Sequence, residues 1–156
     1  LDQIKQAAPS RIITLSSAAH RHGTIDFSNL HGEKRYSVWD AYSRSKLANI
    51  LFTKELARRL NGTNVIANCL HPGVVYTGIW QFNAFMRFMS PMIGRFMLSP
   101  EKGAQTALWA ATNPEAGKFN GAYFDKSKPV STSPRAEDPR TASRLWAESI
   151  KMTGIS

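Results

Sequence analysis

Apolar positions in this chain fall into dense blocks separated by polar stretches marked with glycine or proline. The first block, "RIITLSS" (11–17), is β-branched and closes on two serines, which predicts a buried strand. Residues 18–36 are polar, hold Gly23 and Gly32, and read as loop. A helix follows from Ser37 or Asp40, either of which can cap it, to Leu60, with Asn61-Gly62 as the stop. Its middle, "KLANILF", is apolar nearly all round, which predicts burial on two sides. "NVIANCL" (64–70) is a second buried strand, followed at once by His71-Pro72-Gly73. After a long connection, Ser99-Pro100 opens a helix to about Ala111. "GAYF" (121–124) is a short third strand, and "KSKPVSTSPRAEDP" reads as irregular. Asp138-Pro139 opens a last amphipathic helix carrying Ala142, Leu145, Trp146 and Ile150, stopped by Gly154.

Alternation of strand and helix implies an α/β fold with a parallel sheet and right-handed crossovers. Three strands make a thin sheet with one edge lacking a neighbour. The opening "LDQIKQAAPS" reads as the end of a helix. Both features lead us to expect that the first part of a longer protein is absent.

At 156 residues and 42% apolar content the chain suits one globular domain. Its net charge of +9 favours anionic partners, but the basic residues are spread along the chain, which describes a solvated surface. A membrane- or nucleic-acid-binding module would rest on that charge alone, and no nucleic-acid partner is expected. The single cysteine, Cys69, lies in an apolar run and reads as a buried thiol. His20 and His22 form an HxH pair without an acidic or cysteine cluster, so no metal site is expected. His71 is assigned no role.

Candidate chemistry gathers where the strands end. In open α/β sheets, ligands bind beyond the carboxyl ends of the strands. Ser17, the "HPG" turn and the helix carrying Tyr42 and Lys46 all converge on that rim. Tyr42 and Lys46 are four residues apart, so both side chains project from one helix face. Taken alone, they are an ordinary surface pair, Ser17 a hydroxyl satisfying strand-end backbone, and Pro72-Gly73 a turn. Together they describe a general acid beside a cation, since a phenol ordinarily ionises near pH 10 and an adjacent positive charge favours the phenolate.

These motifs resemble the short-chain dehydrogenase/reductase family over nearly the whole chain: "RIITLSS", "YSRSK", "NCLHPGVVYT" and "GAYF". "GEKRYSVWDAYSRSKLANILFTKELARRL" and "LHPGVV" are similar to its retinol dehydrogenase-like branch. The resemblance implies a Rossmann-like doubly wound parallel sheet. Residues 1–156 would be its C-terminal catalytic and substrate half, with the N-terminal dinucleotide-binding half absent. Neither the glycine-rich turn nor the strand Asn-Ala-Gly of the family is present, and the helix asparagine of its catalytic tetrad is missing too. The implied activity is NAD(P)-dependent interconversion of a carbonyl and an alcohol. Tyr42 would be the acid/base, and Lys46 would bind the nicotinamide ribose and ease loss of the tyrosine proton. Ser17, rather than Ser16, would hold the substrate oxygen. Pro72, Gly73 and Thr77 would contact the nicotinamide end of the cofactor. NADP is implied over NAD by the branch alone.

The segment "YTGIWQFNAFMRFMSPMIGRFML" (76–98) follows the turn where the family places its substrate loop. Its aromatic and methionine content suits a retinoid, steroid or lipid aldehyde. Residues 79–98 could equally rest on a membrane interface, or form a lid without lipid contact. Arg87, Pro91, Gly94 and Arg95 exclude a spanning helix. The implied location is cytoplasmic or peripheral on an intracellular membrane. A reading from a different class is a non-catalytic fragment that dimerises or binds partners through helix 40–60.

Overall fold

Four strands form one sheet in the computed structural model, which describes residues 1–75 and 98–154. Their order is β1 (Ser10–Leu15), β2 (Val65–His71), β3 (Tyr123–Asp125) and β4 (Lys128–Pro129). β1 to β3 run parallel, and β4 returns antiparallel. The expected α/β fold with a parallel sheet is therefore present. The central strand β2 is buried along most of its length, with strands on both flanks. β1 is only half-buried, against the expectation of a buried strand, and Leu15 is exposed. It lies on the sheet edge, paired with β2 alone among the described residues. It also stops at Leu15, so both serines stand beyond its tip.

The short opening helix α1 (Asp2–Gln6) buries nothing. Helix α2 (Val38–Arg59) starts at Ser37, whose hydroxyl accepts from the Asp40 amide at 3.4 Å. Leu47, Ile50 and Leu51 in its middle are at most 1% exposed. They pack with Cys69 and Tyr123 of the sheet on one side and Ala142 and Leu145 of the last helix on the other. Burying three such side chains is worth roughly 5–9 kcal/mol, comparable to the whole net stability of a domain. The apolar run that marked this helix thus also ties the sheet to the outer layer.

Helix α3 (Pro100–Thr112) is capped by Ser99, and α4 (Pro139–Thr153) by Asp138, whose carboxylate accepts from the Arg140 amide at 3.0 Å. Both caps fall where Ser-Pro and Asp-Pro marked them. β4 is a departure from the irregular stretch expected there. Lys126 and Ser127 have φ of 49° and 58°, the double left-handed turn that joins two-residue hairpins. Such turns are usually announced by Asn-Gly or Asp-Gly, and Lys-Ser hides this one. Thr77 and nearly all of the apolar 79–98 segment lie outside the described residues. Among the described residues, no helix is long and apolar enough to cross a membrane.

Candidate active site at the carboxyl rim of the sheet

The strand ladder continues one step past β1, because the Ser16 amide donates to the Leu70 carbonyl at 2.7 Å. That step delivers two neighbouring serines to the rim, and their hydroxyls do different things. Ser16 is buried, and its Oγ donates to the Lys46 carbonyl at 2.7 Å. It therefore spends its proton on joining the strand tip to α2. Ser17 keeps extended backbone (φ −158°, ψ 156°) and caps a 3₁₀ turn, Ala18–His22, with its Oγ accepting from the Ala19 amide at 3.2 Å. That bond uses a lone pair and orients the oxygen. The Ser17 proton has no acceptor among the described residues and is left to donate.

Tyr42 and Lys46 stand in the first half of α2, both half-buried. The Lys46 Nζ lies 5.5 Å from the centroid of the Tyr42 ring, within cation–π range. Among the described residues no carboxylate pairs with Lys46, and the Tyr42 hydroxyl makes no hydrogen bond. Trp39, one turn earlier, is exposed, with ring centroids 6.2 Å from Tyr42 and 6.0 Å from His22.

Three residues pack against these groups in ways that local sequence does not announce. At Gly23 a Cβ would come within 2.5 Å of the Ser43 carbonyl oxygen, so only glycine lets the turn after Ser17 lie directly on α2. Asn49 donates from Nδ2 to the Leu15 carbonyl at 2.8 Å, a second tie between β1 and α2. His20 is fully buried, with Nδ1 at 2.7 Å from the Ser17 carbonyl. The two members of the HxH pair thus part company, one inward and one against Trp39. Among the described residues no cluster of histidine, cysteine or acidic side chains could hold a metal ion.

Pro72 and Gly73 follow β2 at the same rim, since His71 pairs with Asp125 at the end of β3. Gly73 has φ of 87°, the conformation a turn needs after proline. The two residues line a cleft of about 610 Å³ together with Ala18, the residue after Ser17, and with Lys102, Thr106 and Asp125. Tyr42 and Lys46 do not line this cleft. The structure thus joins Tyr42 to Lys46, and it sets Ala18, the residue after Ser17, on one cleft with the Pro72-Gly73 turn. The Ser16–Lys46 hydrogen bond ties the tip of β1 to the helix that carries Tyr42. Thr77 is outside the described residues.

Burial holds His71 below the usual histidine range, Asp125 opposing it, and its buried Nδ1 has no hydrogen-bond partner among the described residues. Burial pushes the Cys69 thiol up to about 12, which makes it an inert core group. Burial also keeps the Tyr123 hydroxyl protonated far above the phenol range, with Cys69, Asp125 and, more weakly, Tyr42 adding to the effect while Arg21 opposes it.

Retinol dehydrogenase 14 of Homo sapiens is 42% identical over 159 residues, covering 99% of this chain and 47% of its own length. The chain spans about half the length of the curated relatives it matches. A crystal structure of an uncharacterized protein from Mycobacterium paratuberculosis is 33% identical with a TM-score of 0.70, covering 93% of this chain and 50% of that one. The 3-ketoacyl-(acyl-carrier-protein) reductase from Brucella melitensis, solved with NADH, shares the fold at 20% identity and a TM-score of 0.54, over 80% of this chain and 46% of its own. The family model for short chain dehydrogenase matches residues 1–85. Matched over more than half of its 156 residues, the chain belongs to the short chain dehydrogenase family.

Proposed function

We propose that the whole protein carrying this chain is a nicotinamide-dependent oxidoreductase that interconverts an apolar aldehyde or ketone with its alcohol. Tyr42 is its acid/base. The observation that carries this reading is the Lys46 ammonium 5.5 Å from the centre of the Tyr42 ring, with no carboxylate among the described residues to neutralise it. Family membership and a retinol dehydrogenase relative support oxidoreduction and a retinoid-like substrate.

The residues present fit the nicotinamide end of such a cofactor. Lys46 has donors unpaired among the described residues that can serve ribose hydroxyls, and the Pro72-Gly73 turn opens on the cleft that Ala18, next to Ser17, also lines. When bound, the nicotinamide supplies the hydride chemistry. This chain's own residues handle the oxygen. As negative charge develops there during carbonyl reduction, the Ser17 hydroxyl donates a hydrogen bond to it and the Tyr42 hydroxyl gives it a proton. Lys46 then stands beside the phenolate left on Tyr42. Alcohol oxidation runs the same proton back to Tyr42. NADP is our choice over NAD from the likeness to the retinol dehydrogenase branch.

The test is Tyr42→Phe in the whole protein, assayed with NADPH and all-trans-retinaldehyde. Turnover should fall by about 10²–10⁴-fold, the span of general acid catalysis, while NADPH still quenches tryptophan fluorescence. Turnover at the wild-type rate in that variant refutes the assignment.

A second reading, association through helix 40–60, draws on the outer face of α2. There Phe52 is partly exposed and stacks on Trp146 of α4 at 4.9 Å and 16°. Sedimentation of Phe52→Glu against wild type tests it, with loss of a dimer expected and an unchanged sedimentation coefficient overturning it.

A further inference from the structure

His20 sits 113 residues from its partner Ser133 in sequence, yet the two meet inside the molecule. The imidazole is fully buried, and both its nitrogens are engaged. Nε2 lies 3.2 Å from the Ser133 amide nitrogen. An amide N–H can only donate, so Nε2 is the bare, accepting nitrogen. The ring proton is then on Nδ1, which lies 2.7 Å from the Ser17 carbonyl oxygen, a group that can only accept. The two neighbours thus dictate one neutral tautomer.

The Tyr123 ring closes over the imidazole edge-on, at 5.1 Å and 67°. The segment that supplies Ser133 is itself fastened to the turn after Ser17. Arg21 donates to the Ser131 carbonyl at 2.9 Å, and Arg135 donates to the Gly23 carbonyl at 3.3 Å. Glu137 binds Thr132 within the segment and pairs with Lys54 on α2. The strap 131–137 therefore presses the 3₁₀ turn onto the helix that bears Tyr42, and the His20 ring is the side chain of that assembly that grips the Ser17 carbonyl, joining the His20 backbone amide, which donates to the same oxygen at 3.1 Å.

We propose that His20 is a positioning residue for Ser17. Its Nδ1–H holds the Ser17 backbone so that Oγ stays on the Ala19 amide and keeps its proton directed outward. This rests on the reading of Ser17 as the group that holds the substrate oxygen. The HxH motif thus finds its use in chain geometry.

Two amides separate the halves of the imidazole. In His20→Asn the side-chain amide falls near Nδ1 and can still donate to the Ser17 carbonyl. In His20→Gln it reaches the Nε2 position and serves Ser133 instead. Hydrogen exchange at the Ala19 amide reads the Ser17 turn independently of any activity. Positioning predicts that Ala19 protection falls about tenfold in His20→Gln and much less in His20→Asn. It also predicts that kcat with NADPH and retinaldehyde is about tenfold lower in the glutamine variant than in the asparagine variant, with KM little changed. Equal Ala19 protection in both variants overturns the proposal, as does a loss of kcat that follows melting temperature alone.

If neither variant folds, the imidazole ¹⁵N spectrum of the wild type decides. A proton on Nδ1 coupled to the Ser17 carbonyl supports the grip, and a proton on Nε2 overturns it. Should Ser17→Ala turn over at the wild-type rate while Ala19 protection behaves as expected, the oxygen-holding role of Ser17 fails and the grip of His20 on the turn stands.

Discussion

Helix α2 carries two pairs of side chains at the same four-residue spacing, Tyr42 with Lys46 near its start and Glu55 with Arg59 near its end. The second pair is closed. Glu55 is 3% exposed and takes two hydrogen bonds from Arg58, at 2.7 and 2.9 Å, and one from Arg59 at 2.7 Å. Arg59 also lies over the Trp146 ring at 4.7 Å. The first pair is open. A cation leans on a phenol, and neither has spent its polar capacity within the described residues. Identical spacing on one helix thus yields a fastening at one end and unspent chemistry at the other. What separates them is burial and partners, which spacing does not encode.

Lys46→Met probes this contrast most strongly. Removing the cation should lower turnover by about 10²–10³-fold, the cost of deleting one preorganised electrostatic partner. Unfolding free energy should stay within about 1 kcal/mol, the worth of a partly exposed cation–π contact. Equal losses in both measurements would place Lys46 with the fastenings and break the comparison. Glu55→Ala is the mirror image. It deletes three charge-assisted hydrogen bonds from a buried carboxylate, but the released guanidiniums are largely exposed and water can take them up. We expect about 2 kcal/mol of lost stability in urea, and turnover per folded molecule unchanged.

The elements of this fold are legible from local pattern because local chemistry builds them. Ser37, Ser99 and Asp138 cap their helices through amides two or three residues away, and Leu47, Ile50 and Leu51 are buried because "KLANILF" is apolar nearly all round. The candidate site is legible as far as motif spacing reaches: Ser17 at a strand tip, Tyr42 and Lys46 on one helical face, Pro72-Gly73 after the next strand. What holds them is not legible. Gly23, Asn49 and His20 act through contacts with Ser43, Leu15 and Ser133 that only the folded chain creates. The hairpin at Lys126-Ser127 escapes notice for a different reason, since its residues are poor advertisers of a left-handed turn. Ser16 and Ser17 are alike in sequence and unlike in use, because one hydroxyl finds a helix carbonyl within reach and the other does not.

The two ends of the molecule should also separate on the pH axis. Near the rim, His20 and His71 are both held below the ordinary value of 6.5, chiefly by burial. The unfolded chain then binds protons more readily than the folded one, so stability is full above about pH 6.5 and falls as pH drops below it. Each such histidine contributes at most about 1.4 kcal/mol per pH unit in that window. Glu55 is held below the usual carboxylate range, first by its Arg58 hydrogen bond, and its contribution is lost only as pH falls below about 4.5 toward its depressed folded value. Urea midpoints should therefore begin to fall in mild acid, with a second decline further down. His20→Asn should flatten the first and leave the second. An unchanged first decline in a His20→Asn, His71→Asn double variant would show that other groups carry it.

The smallest effect is the most discriminating. Ser37 and Asp138 cap different helices, and replacing either with alanine should cost about 1 kcal/mol. They do not hold the same things. Ser37 closes the turn of α2 that leads directly into Trp39 and Tyr42, whereas Asp138 starts α4, whose buried residues Ala142 and Leu145 face the core. Fraying α2 loosens Tyr42 relative to Lys46, because the phenol sits within the first two helical turns and the lysine lies one turn deeper. Ser37→Ala should thus reduce turnover several-fold while melting much as Asp138→Ala does, and Asp138→Ala should leave turnover per folded molecule where it was. Deuterium exchange of the Ala41 amide, which donates to the Ser37 carbonyl at 2.8 Å, should rise only in the first variant. If both caps lower turnover alike, the open pair draws its geometry from global stability, and the two ends of α2 differ in burial alone.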